Sequence, residues 1–349
     1  MKGLLTAVIT TVQNPTMYTR MLYERFGECG GHLVVVGDKS GPSAYELPGV
    51  TFLSLEAQCR SGFRLASLLP IGHYARKNIG YLQAIANQAP CLYETDDDNA
   101  PLPDWHPRES TYRNGRTVPR THSRWLNAYG YFTSQYIWPR GFPLDEVRHQ
   151  PSITELVKGD VSAPVQQALV NRAPDVDAVW RLLFGHELDF DRGVPALYLT
   201  AGNWCPFNSQ NTWWWPEAYP LMYLPSFCSF RMCDIWRSFI ALRCLWAMNA
   251  GILFLPADSF QERNAHRLMK DFDDEIPGYL GNKGFVRVLE ETELESGSSG
   301  ATVGNLRRCY QALIGASFFP PDELPLVDAW VEDLRAIGNT EGDCSMNTG

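Results

Sequence analysis

About the first hundred residues alternate between apolar segments typical of strands and segments typical of helices. LLTAVITTV (4–12) and HLVVVGDKSGP (32–42) are rich in β-branched residues and open into polar loops, which predicts two buried strands. PTMYTRMLYERFG (15–27) begins with Pro and ends with Gly, and HYARKNIGYLQAIANQA (73–89) has apolar residues at helical spacing. CLYETDDDN (91–99) supplies the next strand and its exit. This alternation predicts an α/β fold with a largely parallel sheet flanked by helices.

Polar residues follow these strands at the points where the strands are expected to end. They are Thr10, Asp38, Lys39, Asp96, Asp97 and Asp98. Ligands of open α/β sheets bind outside the carboxyl ends of the strands. We therefore expect these side chains to lie at one edge of the sheet, where they would line a common pocket.

The three consecutive acids Asp96, Asp97 and Asp98, which we call the acid triplet, repel one another and need a compensating cation. Mg²⁺ and Mn²⁺ prefer carboxylate oxygens and keep open positions for phosphate. The triplet therefore predicts a divalent metal site that bridges a diphosphate and stabilises a leaving group. The alternative interpretation is a solvated turn that caps the next element.

Two basic segments are candidates for contacting a phosphate. Arg76 and Lys77 lie at the start of a predicted helix, where the helix N-terminus would assist them, although a solvated basic turn is the alternative. Arg140 lies in the stiff segment WPRGFP, which suits bidentate contact with a phosphate or a carboxylate. A structural arginine stacked on Trp138 is the alternative for this residue.

Two acidic sites are ambiguous in the same way. Asp175 and Asp177 lie in the segment APDVDA. They are either an N-cap pair or residues for hydroxyl recognition or metal support. Asp234 lies near the start of a strongly apolar helix, where a carboxylate is costly unless it is paired or functional. It is a candidate catalytic base or acceptor-binding acid, and an ion pair with Arg231 or Arg237 is the alternative.

The composition becomes strongly charged from about Asp258 onward. We predict one domain over 1–257, a helical C-terminal extension or lid over 258–340, and a disordered tail over 341–349. His266 in the extension is a candidate metal ligand, with a structural or exposed histidine as the alternative. The aromatic run 213–215 predicts either a sugar-stacking platform or part of the core.

Bulk composition excludes several classes of protein. The formal net charge of -9 argues against a nucleic-acid binder, which normally has a basic face. The sequence contains no run of about 18 or more apolar residues, so it predicts no transmembrane helix. The nine cysteines are scattered and form no CxxC pair, which is typical of reduced thiols in a cytoplasmic protein. The absence of GxSxG, P-loop, GxGxxG and HExxH motifs disfavours hydrolase, ATPase, dinucleotide and zinc-protease functions.

An ordered series of segments resembles the STELLO-like glycosyltransferases. The segments are ARKNIGYLQAI (75–85), YETDDDN (93–99), YIWPRGFPLDEV (136–147), PDVDAVWRLL (174–183), NWCPFNSQNT (203–212) and CDIWRSFIALRCLW (233–246). The resemblance covers about residues 5–280. It implies a GT-A fold, a Rossmann-like α/β architecture with a mixed, mostly parallel sheet, in which the Asp motif binds Mn²⁺ or Mg²⁺ and a nucleoside diphosphate sugar.

The chain is more distantly similar to the UDP-arabinopyranose mutases, also called reversibly glycosylated polypeptides. Shared features are an Asp triplet after a basic helix, an RG-aromatic-P segment, a PD-x-DA segment and a later acid before Trp. The arginine implicated in self-glycosylation of that family matches Arg140. Here Asn99 stands where the mutases usually have Cys, and Pro139 precedes the arginine.

The leading hypothesis is a metal-dependent glycosyltransferase that moves a sugar from a nucleoside diphosphate sugar, with a UDP-sugar as first candidate, to a glycan or other hydroxyl acceptor. The expected nucleotide-sugar contacts are Thr10, Asp38, Lys39, Arg76, Asp96, Asp97 and Asp177. The expected metal ligands are Asp96, Asp98 and His266. Arg140 would offset leaving-group charge, and Asp234 would act on the acceptor. A UDP-sugar mutase and a catalytically degenerate GT-A scaffold are the alternatives.

Overall fold

A single mixed sheet of eleven strands organises the described part of the computed structural model. The structure describes residues 3–119, 125–148, 153, 156–262, 267–297 and 299–346, with side chains of 299 and 340–346 excepted. In chain order the strands are β1 (Thr6–Thr11), β2 (His32–Gly37), β3 (Thr51–Leu53), β4 (Leu92–Thr95), β5 (Asn99–Pro101), β6 (Thr111–Val118), β7 (Val157–Ser162), β8 (Val165–Asn171), β9 (Leu197–Leu199), β10 (Asn211–Trp214) and β11 (Ile252–Gln261).

Helices cover both faces of this sheet. The α-helices of the described residues are α1 (Met17–Glu28), α2 (Leu55–Cys59), α3 (Arg64–Leu68), α4 (Lys77–Ala86), α5 (Ala178–Leu183), α6 (Cys233–Ala247), α7 (Leu268–Glu291), α8 (Ser299–Gly315) and α9 (Glu323–Met346). Short 3₁₀ turns span Tyr74–Arg76, Tyr129–Tyr131, Pro216–Met222 and Phe230–Met232.

The strand order is β3-β2-β1-β4-β10-β8-β11-β9-β6-β7, and β5 pairs with β11. β1 pairs in parallel with β2 and β4, and β2 pairs in parallel with β3. The antiparallel strand β10 joins β4 to β8, which runs parallel to β11. The predicted α/β class, with a mixed sheet, flanking helices and C-terminal helices, is confirmed, and it is consistent with a GT-A-like fold.

The sequence of β1 explains why it lies at the centre of a covered sheet. Successive side chains of a strand point to opposite faces. Val8 packs in one hydrophobic cluster with Val34 and Val36 of β2, while Ala7 and Ile9 pack in a second cluster on the other face. Because the register is parallel, the polar ends of β1, β2 and β4 emerge at the same edge of the sheet.

Gly80 controls how closely α4 approaches this sheet. A Cβ at position 80 would lie 2.6 Å from methyl groups of both Val8 and Val36. The glycine therefore lets α4 pack directly on β1 and β2, and this places the N-terminus of α4, with Arg76 and Lys77, at the carboxyl edge of the strands.

The C-terminal helices contact the loops that surround this edge. Asn282 of α7 donates from Nδ2 to the carbonyl oxygen of Gly141 at 2.7 Å. The Asp333 carboxylate of α9 accepts from the backbone N–H groups of Arg64 and Leu65 at 2.8 and 2.9 Å. Among the described helices, none has the length and apolar character that a membrane span requires. The predicted boundary at 257/258 falls within β11, and the division into domains stays a prediction.

Candidate active site

A cavity of about 490 Å³ opens at the carboxyl ends of β1, β2 and β4. Its size is typical of sites for small molecules. The predicted site residues that line it are Thr10, Asp38, Arg76, Asp96, Asp97, Asp98, Arg140 and Asp234. Lys39 is exposed outside the lining, Asp177 is buried away from it, and His266 lies outside the described residues.

Asp96 of the acid triplet has a buried cationic partner. Its Oδ1 accepts from Lys77 Nζ at 3.1 Å and from the Tyr74 hydroxyl at 2.9 Å. Lys77 also donates to the carbonyl oxygen of Thr95 at 2.6 Å, so the ammonium group is held at the end of β4. Burial raises the pKa of Asp96, and the charge and hydrogen bonds of Lys77 and Tyr74 oppose that rise.

Asp97 and Asp98 lack an ion pair of this kind within the described residues. Asp97 Oδ2 accepts from the Thr11 hydroxyl at 2.5 Å, and burial raises the pKa of Asp97. Asp98 Oδ1 is buried and has no hydrogen-bond partner in the described part of the chain. Burial, together with the charges of Asp96 and Asp97, raises the pKa of Asp98 to about 7. Within the described residues, the three carboxyl groups of the triplet thus share one paired lysine, Lys77.

The chemistry of this donor set fits a hard divalent cation. In the described part of the chain, no three or more His, Cys, Asp or Glu side chains are grouped as a complete metal site. Mg²⁺ commonly needs no such protein cage, because one or two carboxylates and the substrate phosphates complete its coordination with water. The unpartnered oxygen of Asp98 is the feature that a cation at this position would satisfy.

A pair of amide side chains orients Asp98. Gln261, the last residue of β11, forms a side-chain hydrogen bond with Asp98. Gln210 Nε2 in turn donates to Gln261 Oε1 at 2.8 Å, and Asn99 Nδ2 donates to the carbonyl oxygen of Gln210 at 2.7 Å. Sequence inspection missed both glutamines, because nothing in the strand pattern of β11 or in the segment NSQN distinguishes them from ordinary loop amides.

Arg140 also lines the cavity, and it belongs to a set that we call the arginine cluster: Arg140, Asp175, Arg231, Asp234 and Glu275. Arg140 donates from Nε and Nη2 to Asp175, and from Nη1 and Nη2 to Asp234 at 2.9 Å. Its Nη1 also donates to the carbonyl oxygen of Arg231. Burial alone would lower the pKa of Arg140, but the two carboxylates outweigh that effect and raise it well above its ordinary value.

These contacts use every N–H group of Arg140, so none is left for a phosphate in this arrangement. We expected Arg140 to make bidentate contact with a phosphate or a carboxylate. In the structure it contacts the carboxylates of Asp175 and Asp234. Arg140 joins the loop after β8, which carries Asp175, to the start of α6, which carries Asp234. Its direct role in offsetting leaving-group charge stays a prediction.

Asp234 is paired, but with a different partner from those expected at helical spacing. Its carboxylate accepts from Arg140 and from the backbone N–H of Ser209 at 3.1 Å. Burial alone would raise the pKa of Asp234, but the charge and hydrogen bonds of Arg140 lower it below its ordinary value. A carboxylate with a lowered pKa is a weak base. Its geometry suits orienting a hydroxyl better than removing a proton.

Arg237 instead forms a buried ion pair beneath the cavity. Its Nη1 donates to both oxygens of Glu94 at 2.9 Å, and Glu94 also accepts from Tyr81 and Trp214. Arg237 Nη2 donates to the Ser209 hydroxyl at 3.0 Å. Because the backbone of Ser209 contacts Asp234, hydrogen bonds connect the strand that carries the acid triplet to the arginine cluster.

Arg231 retains donor capacity toward the cavity. Its Nε donates to Glu275 Oε1 of α7 at 2.8 Å, and its Nη2 lies 3.8 Å from Asp175. Within the described residues, Nη1 of Arg231 has no protein acceptor, and the side chain lines the cavity. Sequence inspection treated Arg231 only as a partner for Asp234, and it did not single out Glu275, which is buried in the middle of α7.

Three remaining predicted residues have structural contacts. Arg76 donates to Gln58 Oε1 at 2.6 Å and to backbone carbonyl oxygens of the segment 66–69, so it holds one wall of the cavity. Asp38 accepts from the backbone N–H groups of 72 and 73, both at 2.9 Å. Asp177 accepts from Trp180 N at 2.7 Å as the N-cap of α5, which is the alternative interpretation of that residue.

Comparison with known proteins identifies the family that this chain resembles. The family model of STELLO glycosyltransferases matches residues 231–343. The chain is 28% identical over 331 residues to "Probable glycosyltransferase STELLO1" of Arabidopsis thaliana, covering 88% of this chain and 42% of that protein. It is 25% identical over 361 residues to "Probable glycosyltransferase STELLO2" of the same plant, covering 95% of this chain and 44% of that protein. The predicted resemblance is confirmed, and the chain spans less than half the length of either relative.

Proposed function

We propose that this STELLO-like chain is a metal-dependent glycosyltransferase that transfers a sugar from a nucleoside diphosphate sugar, with a UDP-sugar as first candidate, to a hydroxyl acceptor. The observation that carries the proposal is the unpartnered, buried Oδ1 of Asp98 at the end of the acid triplet. Asp98 lines a cavity of suitable size at the carboxyl ends of the parallel strands. The similarity to the STELLO proteins supports the same reaction class.

Asp98 and Asp96 would hold Mn²⁺ or Mg²⁺. When bound, the cation would neutralise the diphosphate and the charge that develops on the departing nucleotide. Asp98 suits this role because its carboxylate has no cation of its own, whereas Asp96 already has Lys77 on one oxygen. Gln261 would hold Asp98 in the orientation that binding needs, which is the usual contribution of groups behind a metal ligand.

The nucleoside would lie along the ends of β1 and β2, beside Thr10 and Asp38. Asp38 already accepts from the backbone of 72 and 73, so its main contribution would be to fix the loop that closes this side of the cavity. Lys39 extends away from the lining and would contribute little.

Arg231 would supply the cationic contact to the leaving phosphate. Its Nη1 is available, whereas the N–H groups of Arg140 are committed to Asp175 and Asp234. Arg140 would act as a positioning residue that keeps Asp234 in place. Asp234, a carboxylate with a lowered pKa, would accept a hydrogen bond from the acceptor hydroxyl and orient that hydroxyl toward the donor sugar.

The test is calorimetric titration of UDP and UDP-glucose in saturating Mn²⁺ with wild type, Asp98→Ala and the matched control Lys39→Ala. We expect Asp98→Ala to weaken binding roughly 30-fold or more, because a contact to a charged group is worth about 2 kcal/mol. Lys39→Ala should bind as wild type does. Binding that does not need Mn²⁺, or equal affinity in Asp98→Ala with its fold intact by circular dichroism, would contradict the proposal.

A further inference from the structure

Phe230 is an exposed aromatic residue inside the charged cavity. Its side chain lines the cavity wall while 59% of the residue remains exposed. The aromatic run Trp213, Trp214 and Trp215, the sequence's candidate for a sugar-stacking platform, is instead buried in the core. Because the ring is open and the groups around it are charged, it offers an apolar surface that a ligand in the cavity would cover.

The position of Phe230 relates it to the proposed reaction centre. Its ring lies 5.5 Å from the ring of Tyr74, edge to face at 74°. The Tyr74 hydroxyl donates to Asp96 Oδ1 at 2.9 Å, so one aromatic side chain separates Phe230 from the acid triplet. Arg231 follows directly in the chain, and Asp234 lies one helical turn further along.

The backbone that carries the ring is held firmly. Met232 N donates to the carbonyl oxygen of Ser229 at 2.9 Å within the 3₁₀ turn, and the Ser229 hydroxyl donates to the carbonyl oxygen of Asp274 in α7. Arg231 is anchored to Glu275 of the same helix. The backbone that carries the ring is therefore anchored to α7, and the ring itself contacts Tyr74, so Phe230 has a defined place in the cavity wall.

We propose that Phe230 is the stacking surface of a sugar-ring subsite, an inference that rests on the proposed glycosyltransferase function. A pyranose has apolar C–H faces and a polar rim of hydroxyl groups. Phe230 offers an aromatic face to the first, and the neighbouring Arg231 and Asp234 offer a donor and an acceptor to the second. The same chemistry fits the donor's sugar or a sugar of the acceptor.

The experiment compares Phe230→Ala and Phe230→Trp with the matched control Phe227→Ala. Phe227 lies in the same loop and is 43% exposed, but it does not line the cavity. One arm measures affinity for UDP and for UDP-glucose in saturating Mn²⁺. The other measures binding of methyl β-D-glucopyranoside to protein saturated with UDP and Mn²⁺, by saturation-transfer NMR.

We expect Phe230→Ala to lose roughly tenfold affinity for one sugar probe, a typical effect of removing an aromatic stacking partner, with UDP affinity unchanged. Phe230→Trp should keep the affinity, and Phe227→Ala should match wild type. A loss confined to UDP-glucose assigns the subsite to the donor sugar, and a loss confined to the methyl glycoside assigns it to the acceptor.

No loss in either arm, in a variant that still binds UDP, overturns the sugar-ring subsite and leaves the proposed function standing. Failure of wild type to bind UDP in Mn²⁺ overturns the proposed function itself. Thermal melting of each variant checks the fold, which should be unchanged because the ring is largely exposed.

Discussion

Residues of the acid triplet and of the arginine cluster line the same cavity, and their charges are balanced in different ways. In the triplet, Lys77 pairs with Asp96, while Asp98 keeps a buried oxygen without a partner. In the arginine cluster, Arg140 lies between Asp175 and Asp234, and Arg231 pairs with Glu275. Burial raises the pKa of Asp98 to about 7, whereas Arg140 lowers the pKa of Asp234 despite its burial.

This contrast in charge pairing assigns the two regions different roles. The acid triplet is the candidate binding site, and the arginine cluster holds the surrounding elements in place. Burying an unpaired carboxylate costs free energy, so a bound cation at that position would be favourable. A buried ion pair adds little net stability, but removing one partner leaves an uncompensated charge. The arginine cluster thus links the loop after β8, α6 and α7, and in the proposed function the acid triplet would provide the binding chemistry.

The largest expected effect is on stability, from breaking the arginine cluster. Asp234→Ala leaves Arg140 with half of its carboxylate partners, so we expect a loss of about 3–5 kcal/mol in the free energy of unfolding. Urea denaturation monitored by tryptophan fluorescence measures it. Asp98→Ala is the matched control and should unfold at an equal or higher urea concentration, because it removes an unpaired carboxylate. If Asp234→Ala and Asp98→Ala destabilise the protein equally, the acid triplet and the arginine cluster do not differ in how their carboxylates are paired.

An intermediate effect is expected from Gln261→Ala, which removes the amide that orients Asp98 while leaving the acid triplet itself intact. Groups behind a metal ligand typically contribute 10–100-fold to metal affinity, and we expect roughly tenfold weaker Mn²⁺-dependent UDP binding by calorimetry. Gln83→Ala, on α4 and bonded only to Asn87 in its side chain, is the control. If Gln261→Ala keeps the Mn²⁺-dependent affinity for UDP, the Gln261 amide does not orient Asp98 for binding.

A third expected effect is on the pH dependence of stability, and it concerns Asp177, the N-cap of α5, beside the arginine cluster. Burial raises the pKa of Asp177 to about 7, from about 3.9 in an unfolded chain. A group with a raised folded-state pKa contributes stability that is present below its unfolded pKa and lost as pH rises through its folded pKa. Asp177→Asn does not titrate, so its stability relative to wild type should improve from about pH 5 to about pH 8.

Urea denaturation at several pH values in that window measures the difference between the two proteins. Parallel stability curves would mean that the hydrogen bonds from Trp138 and Trp180 keep Asp177 ionised.

Much of the fold and part of the site were predictable from local patterns. Runs of β-branched residues in β1 and β2 reflect burial on both faces of a sheet, and the Pro and Gly that bound 15–27 reflect a helix. The acid triplet was visible because three adjacent carboxylates are conspicuous in any context. The glutamines at 210 and 261 were not, since an amide carries no charge and breaks no periodicity.

The sequence by itself determined which segments form strands and helices and which polar residues follow the strands, because these properties depend on neighbours along the chain. Only the tertiary structure decided which charges are paired. Arg140 finds Asp175 and Asp234 at sequence separations of 35 and 94 residues, while Asp98 has no cationic partner among the residues that the structure describes. It also decided that the tryptophan run is buried and that Phe230 is open. Charge pairing and exposure depend on which elements distant in the chain pack together. The spacing of residues along the chain does not determine that packing.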